Sequence, residues 1–423
     1  MFSRRFSRLG ILLLCAMLLN ACSGQRPISR PVEKREPPTI ARPSQPAPVY
    51  QAPEPESVEA ATAGEPQASA SSEGPLRLAL LLPLSGALAP SSEALRDGFL
   101  TAHFGHSTQA RIRVYDSGVD ANGVRGAYAE ALRDGAQAII GPLRKEDVQT
   151  LADGGSPAVP LLALNYLDAG RAAPANFYQF GLSAEDEARD AARDAAAAGL
   201  RRALTLTPQG EWGERALQAF QQAFASYGGV IGSAERYDAT LSDFSTPIRA
   251  LLAIDASRER HRALTGLLGS KPQFEPRRRA DADLVFFAAR GEAARQMAPQ
   301  LRFHRASGLP LYATAQVYSG GEPGADLNGL RFCDGPWMVD RAGVWADARN
   351  ETKALFAARA ADLTRLGALG HDAYTLAVLL AQGRAPAQTL AGASGRLSLS
   401  AGGVFSRELS CVEVAGNALK ATR

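Results

Sequence analysis

The side chains of this 423-residue chain that could act on a substrate are few and poorly spaced for it. His103 and His106 stand three apart on what reads as one helix and could share a metal ion, yet no third donor lies near them in sequence. The plainer reading is a pair of exposed residues at a helix end. Asp116, Asp120 and Glu130 suit caps and solvated faces better than a general acid–base pair. No serine has glycine at both minus two and plus two, so a nucleophile elbow is missing. None of Lys34, Lys145, Lys271, Lys353 and Lys420 follows a serine by three positions, which removes a second kind of acyl-transfer nucleophile. There is no P-loop and no H-E-x-x-H string. A hydrolase would need an activated nucleophile that the sequence does not supply. The residues therefore call for no metal, no cofactor and no catalysis, and the chemistry is sought in binding.

Cysteine supplies the remaining reactive positions. Leu19-Asn20-Ala21-Cys22 follows Arg4, Arg5 and Arg8 and an apolar run, Leu9 to Leu19, too short to span a bilayer. The string resembles the cleavage box of bacterial lipoproteins. That resemblance implies a signal peptide over 1–21 and a diacylated Cys22; a simple signal peptide with a chance cysteine is the alternative. Ser23, in place of an inner-membrane retention aspartate, implies the inner leaflet of the outer membrane. Export places the chain in an oxidising compartment, where Cys333 and Cys411 either pair or stay as two buried thiols. The formal charge of +3 disappears with the three signal-peptide arginines, which argues against nucleic acid as a partner.

The elements that must hold a binding site begin late. Residues 22–75 are rich in Pro, Ala, Ser, Glu and Gln and nearly free of large hydrophobics, which predicts a disordered tether. In polyproline form at about 3.1 Å per residue it would reach on the order of 150 Å. The folded part is expected over 76–423. Leu78-Ala79-Leu80-Leu81-Leu82 reads as a parallel strand covered on both faces. A helix capped by Ser91 or Ser92 follows, then strand 112–116, helix 121–134, strand 136–140, helix 144–152 and strand 159–164. Ser183 with Asp186 opens a second series: helix 183–198, strand 202–207, helix 212–227, strand 230–237, helix 244–254, strand 284–288, helix 292–304 and strand 309–314. Two helices, about 350–366 and 370–382, and a hairpin at Gly402-Gly403 close the chain. The alternation predicts an α/β fold of two Rossmann-like lobes with parallel sheets.

Several short strings resemble the type I periplasmic binding proteins. They are Leu82-Pro83-Leu84-Ser85-Gly86, Arg96-Asp97-Gly98-Phe99, Ile140-Gly141-Pro142-Leu143, His371-Asp372-Ala373-Tyr374 and Gly392-Ala393-Ser394-Gly395-Arg396-Leu397. The resemblance implies three hinge crossings, with lobe 1 over about 76–182 and 319–382 and lobe 2 over about 183–318 and 383–423. Longer strings resemble the penicillin-binding-protein activator lipoproteins: residues 276–286 (PRRRADADLVF), 303–314 (FHRASGLPLYAT), 328–332 (NGLRF) and Pro336-Trp337. That family implies non-catalytic stimulation of a class A penicillin-binding protein, a peptidoglycan synthase, from the outer-membrane side. Longer members carry a helical domain ahead of the binding-protein fold; here residues 22–75 lead straight to Leu76.

Receptors of this fold hold an amino acid in the cleft at the strand ends. Ser85 and Gly86 are cleft candidates after the first strand; the loops after the third and fourth strands hold Arg144 and Lys145, then Asn165 and Tyr166, so there long or bulky side chains stand where small hydroxyls are usual. Arg144 and Lys145 could bind an anion such as a peptidoglycan fragment, form a solvated helix start, or close the lobes; cations at a helix start want a negative partner. Trp212 either stacks on a ligand or simply packs. The basic stretch Arg258, Arg260, His261, Arg262 and Arg277, Arg278, Arg279 reads as a loop that docks on an acidic partner or as a solvated, partly ion-paired face. Two functions remain open: a lipoprotein that binds and activates a synthase, and a solute receptor for a transporter or sensor.

Overall fold

The computed structural model describes residues 74–106, 109–270, 272–356 and 365–422. Cys22, residues 1–21, the expected tether up to residue 73, and Lys271 lie outside the described residues. Strand β1 (Leu76–Leu82) is the spine of the first lobe. Leu78, Leu80 and Leu82 enter one hydrophobic core, and Ala79 and Leu81 enter another on the opposite face. Both faces being covered explains the unbroken apolar run. Helix α1 (Ala89–Gly105), β2 (Ala110–Asp116), α2 (Ala121–Arg133), β3 (Ala138–Ile140), α3 (Lys145–Asp153), β4 (Leu161–Ala163) and β5 (Phe177–Gln179) follow. The strands form one parallel sheet in the order β2-β1-β3-β4-β5. Helix α1 starts earlier than expected and neither Ser91 nor Ser92 caps it, because Pro90 occupies the first turn, where a missing N–H costs nothing.

The second lobe contains α4 (Ala184–Ala197), β6 (Arg202–Pro208), α5 (Glu211–Ser226), β7 (Val230–Tyr237), α6 (Ser245–Leu251), α7 (Ile254–Leu268), β8 (Leu284–Phe287), α8 (Gly291–Leu301), β9 (Leu311–Ala313) and β10 (Leu330–Asp334). The chain continues through α9 (Pro336–Val339), α10 (Val344–Leu355), α11 (Arg365–Ala381), β11 (Leu390–Gly392), β12 (Gly395–Leu399) and β13 (Phe405–Glu408), then β14 (Ser410–Ala415) and β15 (Ala418–Ala421). The second sheet runs β15-β14-β10-β9-β8-β6-β7, with β14 antiparallel to both β10 and the edge strand β15 and the remaining pairs parallel. The expected lobe boundaries need correction. Residues 330–334, assigned to lobe 1, pair in parallel with β9 in the second sheet. Residues 390–408, assigned to lobe 2, form a small antiparallel sheet whose Leu397 and Phe405 pack with Leu78, Phe180 and Tyr374 of the first lobe. The crossings therefore fall at about 181–183, 334–336 and 408–410.

Helix α11 lies on α1 so closely that side chains are excluded at the contact. A Cβ added to Gly98 would sit 1.9 Å from the Gly367 carbonyl oxygen, and one on Gly370 equally close to that of Leu95. Main chain meets main chain here, so neither position can give way.

The three crossings meet at an acidic stripe of α4. Glu187 accepts the Ala315 N–H at 2.9 Å, Asp190 accepts the Leu409 N–H at 2.6 Å, and Asp194 accepts the Thr422 hydroxyl at 2.8 Å. Asp186 pairs with Arg189 and, at 3.3 Å, with the buried Arg407 of β13. Arg407 also donates to the Ser183 carbonyl. Arg365, at the start of α11, grips Asp334 through two nitrogens and donates to the carbonyls of Ala315 and Tyr318. Cys333 and Cys411, directly opposite on β10 and β14, are joined by a disulfide and lie 78 residues apart in sequence. That bond closes the chain's second passage into lobe 1, between the second and third crossings, worth about 4 kcal/mol on a chain-entropy estimate.

Two outcomes follow from the packing and the stripe. Gly98→Ala lowers stability by about 1–3 kcal/mol, read as a fall in the thermal midpoint, because the added methyl collides with backbone. Burial pushes the Glu187 carboxyl up to about 7, against the opposing pull of Arg365, from an ordinary 4.5. The folded protein then holds this proton more tightly than the unfolded chain. The contribution is full below pH 4.5 and is lost as pH rises through 7. Thermal scans between pH 4.5 and 8 should show the wild type losing midpoint relative to Glu187→Gln; parallel curves would contradict the assignment.

Candidate functional site

The loops at the carboxyl ends of the parallel strands face the interlobe cleft, the place where open α/β sheets bind ligands. Ser85 and Gly86 follow β1 and are exposed; Ser85 makes no capping hydrogen bond, and Gly86 has φ +74°. Arg144 is the extended N-cap of α3 and turns back on its own helix, 3.8 Å from both Glu146 and the buried Asp147. Burial pushes the Asp147 carboxyl up to about 6, while Arg144 draws it down. The negative partner that a cation at a helix start demands is thus internal. Lys145 bonds Asp168 at 2.8 Å and lies 3.9 Å from Glu211, the first residue of α5 in the other lobe. It is a contact between the lobes.

Asn165 and Tyr166 are committed as well. Asn165 donates to the Leu143 carbonyl at 3.0 Å and accepts the Tyr166 N–H at 2.9 Å. The Tyr166 hydroxyl donates to the Gly181 carbonyl at 3.0 Å and accepts the Gly181 N–H at 3.1 Å, and burial holds its phenol above the ordinary range. The tyrosine braces the first crossing, with no room for a side chain at Gly181. Trp212, near the start of α5, lies under the Arg290 guanidinium, 5.3 Å from its ring centroid. Beside them opens a cavity of about 360 Å³ lined by Pro208, Gln209, Trp212, Tyr237, Arg290 and Glu292 among others. The structure thus gathers Arg144, Lys145, Asn165 and Tyr166 around one end of lobe 1 and leaves Trp212 in a separate pocket of lobe 2.

The basic stretch is a helix in its first half and a loop in its second, where Arg277, Arg278 and Arg279 lie between α7 and β8. Arg258 and Arg260 lie on helix α7, which buries only Ile254 and Ser257. Arg258 pairs with Asp255, Arg279 pairs with Asp281, and Arg278 donates to the Arg279 carbonyl. Arg260, Arg262 and Arg277 form no ion pair among the described residues. His103 and His106 sit against Tyr374, where the fold adds His371, 6.3 Å from His106 between ring centroids. Among the described residues no three His, Cys, Asp or Glu are placed to hold a metal. Asp120 caps α2, Asp116 accepts the N–H groups of Leu84 and Gly118, and Glu130 pairs with Arg113. The groups that sequence reading missed are the α4 acids. Asp186, Asp190 and Asp194, four apart on the alanine-lined side of one helix, were the signal that they are buried.

The chain is similar to proteins of both kinds that its strings resemble. The penicillin-binding protein activator LpoA of Vibrio antiquarius is 29% identical over 351 residues, which cover 80% of this chain and 57% of that protein. This chain therefore spans little more than half the length of that relative. The solved C-domain of LpoA from Haemophilus influenzae, described as a regulator of PBP1A, superposes with a TM-score of 0.62 at 24% identity, over 82% of this chain and 100% of that domain. A putative branched-chain amino acid ABC transporter protein from Chromobacterium violaceum gives a TM-score of 0.59 at 26% identity, over 79% of this chain and 99% of that one. The fold is that of the type I periplasmic binding proteins. The family described as LppC putative lipoprotein matches residues 68–415, and with that span nearly the whole folded part of the chain belongs to it.

Proposed function

We propose that this protein is a non-catalytic activator of peptidoglycan synthesis, anchored through Cys22 in the outer membrane and reaching across the periplasm on the 22–75 tether to bind a class A penicillin-binding protein. The observation that carries this reading is the commitment of the cleft. Lys145 pairs with Asp168 and Glu211, Asn165 donates to Leu143 and Tyr166 to Gly181, while Arg144 lies 3.8 Å from Glu146 and Asp147 of its own helix. A receptor needs free donors for a ligand's charges, and here Lys145, Asn165 and Tyr166 fasten the protein to itself. Family membership supports the same direction, since its curated relatives are named as activators. Activation without chemistry requires preferential binding to the synthase's active conformation, which shifts that population.

A solute receptor is the second reading, favoured by the cavity beside Trp212 and Arg290. Its shape and its aromatic, cationic lining suit a small anionic or glycan ligand. Purified mature protein separates the two. The activator raises glycan polymerisation or cross-linking by a matched class A synthase and gives no calorimetric signal with amino acids or muropeptides. Heat with those ligands and an unchanged synthase rate would replace the first reading by the second.

A further inference from the structure

Helix α7 is long, well formed and scarcely packed. It begins after Ala253 and ends at Gly269, both left-handed, and of its 15 residues only Ile254 and Ser257 are buried. Leu264, Leu267 and Leu268 are 53%, 83% and 63% exposed. Spaced i, i+3 and i+4, they form one apolar stripe. One turn earlier on the same helix, His261 stacks on the half-exposed Phe274 with ring centroids 4.0 Å apart. The next residue, Glu275, bonds Arg305 at 2.6 Å, which fixes this segment to the turn carrying Phe303, itself 80% exposed. Apolar surface grouped in this way marks an interaction site more often than single exposed leucines do.

The charge around the stripe says what would cover it. Arg258, Arg279 and Arg305 are neutralised by Asp255, Asp281 and Glu275. Arg260, Arg262 and Arg277 are exposed and unpaired among the described residues, opposed only by the exposed Glu259. The surplus is positive, so the complementary surface is acidic. Guanidinium forks match carboxylates two bonds at a time. On the activator reading that acidic surface is a protein face, and a membrane is the outcome that the vesicle arm of the test detects.

We propose that the Leu264–Leu267–Leu268 stripe of α7, flanked by Arg260 one turn earlier and by Arg277, is the surface on which the partner synthase docks, through an apolar hollow edged with carboxylates. This rests on the activator reading above and names its docking face. Anchoring by a few apolar side chains inside a charged rim is the usual energetic layout of such contacts.

The test uses the full mature chain and a purified class A synthase of the same bacterium. The triple variant L264S/L267S/L268S changes only side chains that are more than half exposed, so its thermal midpoint should hold. Its affinity for the synthase should fall about tenfold or more. R260E/R277E should slow association and flatten its dependence on salt. Val344→Ser, an exposed apolar residue on α10, should bind as the wild type does. A triple variant that binds and stimulates normally overturns the docking face and leaves the activator reading standing. A wild type that does not bind the synthase removes both. If the triple variant loses only binding to phosphatidylglycerol vesicles, the stripe is a membrane contact and the proposal is wrong.

Discussion

The structure depends on one buried electrostatic arrangement, in which two arginines from the first lobe's segments end on carboxylates of the second. Arg407 leaves β13 to meet Asp186, and Arg365 leaves α11 to meet Asp334. All four side chains are buried or nearly so. A charge out of water is tolerated only with a partner in good geometry, and removing one partner strands the other at a cost of about 3–5 kcal/mol. The crossings are therefore held by a constraint stronger than loop stiffness. The Cys333–Cys411 bond acts on the same place, because it joins the strand before the second crossing to the strand after the third. What would be three independent linkers becomes a single knot of backbone, ion pairs and sulfur.

Position of the cleft loops follows from that knot. Tyr166 hydrogen-bonds Gly181 at the first crossing, so the loop after β4 is fixed by the hinge itself. Lys145 reaches Glu211 only because the lobes face each other at the angle the knot sets. The same interactions that orient the loops also consume their polar groups. A cleft in this condition has lost most of the free donors a charged solute would require, whereas the outer surface of lobe 2 has kept unpaired arginines and bare leucines.

Much of this was legible in the sequence, for identifiable reasons. Strands such as β1 and β8 are continuous apolar runs because both faces are covered, and two of the helices carry caps readable in the sequence, Asp120 for α2 and Ser183 for α4. Strand β10 was not seen because Leu-Arg-Phe-Cys-Asp alternates beside turn residues and resembles a loop. Helix α7 was read as a loop because periodicity detects a buried stripe, and this helix buries almost nothing. The cleft positions were legible from their place after each strand. Their partners were not, since the Tyr166–Gly181 and Lys145–Glu211 contacts join segments that no local spacing connects.

The exposed state of α7 has its own physical argument. A helix of this length is marginal alone in water and normally gains its stability from an apolar face in the core. Here the support is local: Ile254 buried at the start, the Asp255–Arg258 pair one turn in, the Ser257 hydroxyl accepting the Arg277 N–H, His261 against Phe274, and a left-handed glycine at the end. These contacts hold the helix from one side and at its first turns, and leave the last turn, with its leucines, in solvent. Selection for stability alone would favour polar residues at three such positions, since exposed leucine there contributes nothing to the fold and invites association. The stripe is better understood as surface whose burial partner is another molecule, and the constraint that keeps lobe 2 rigid beneath it is what would make that surface a defined shape to bind.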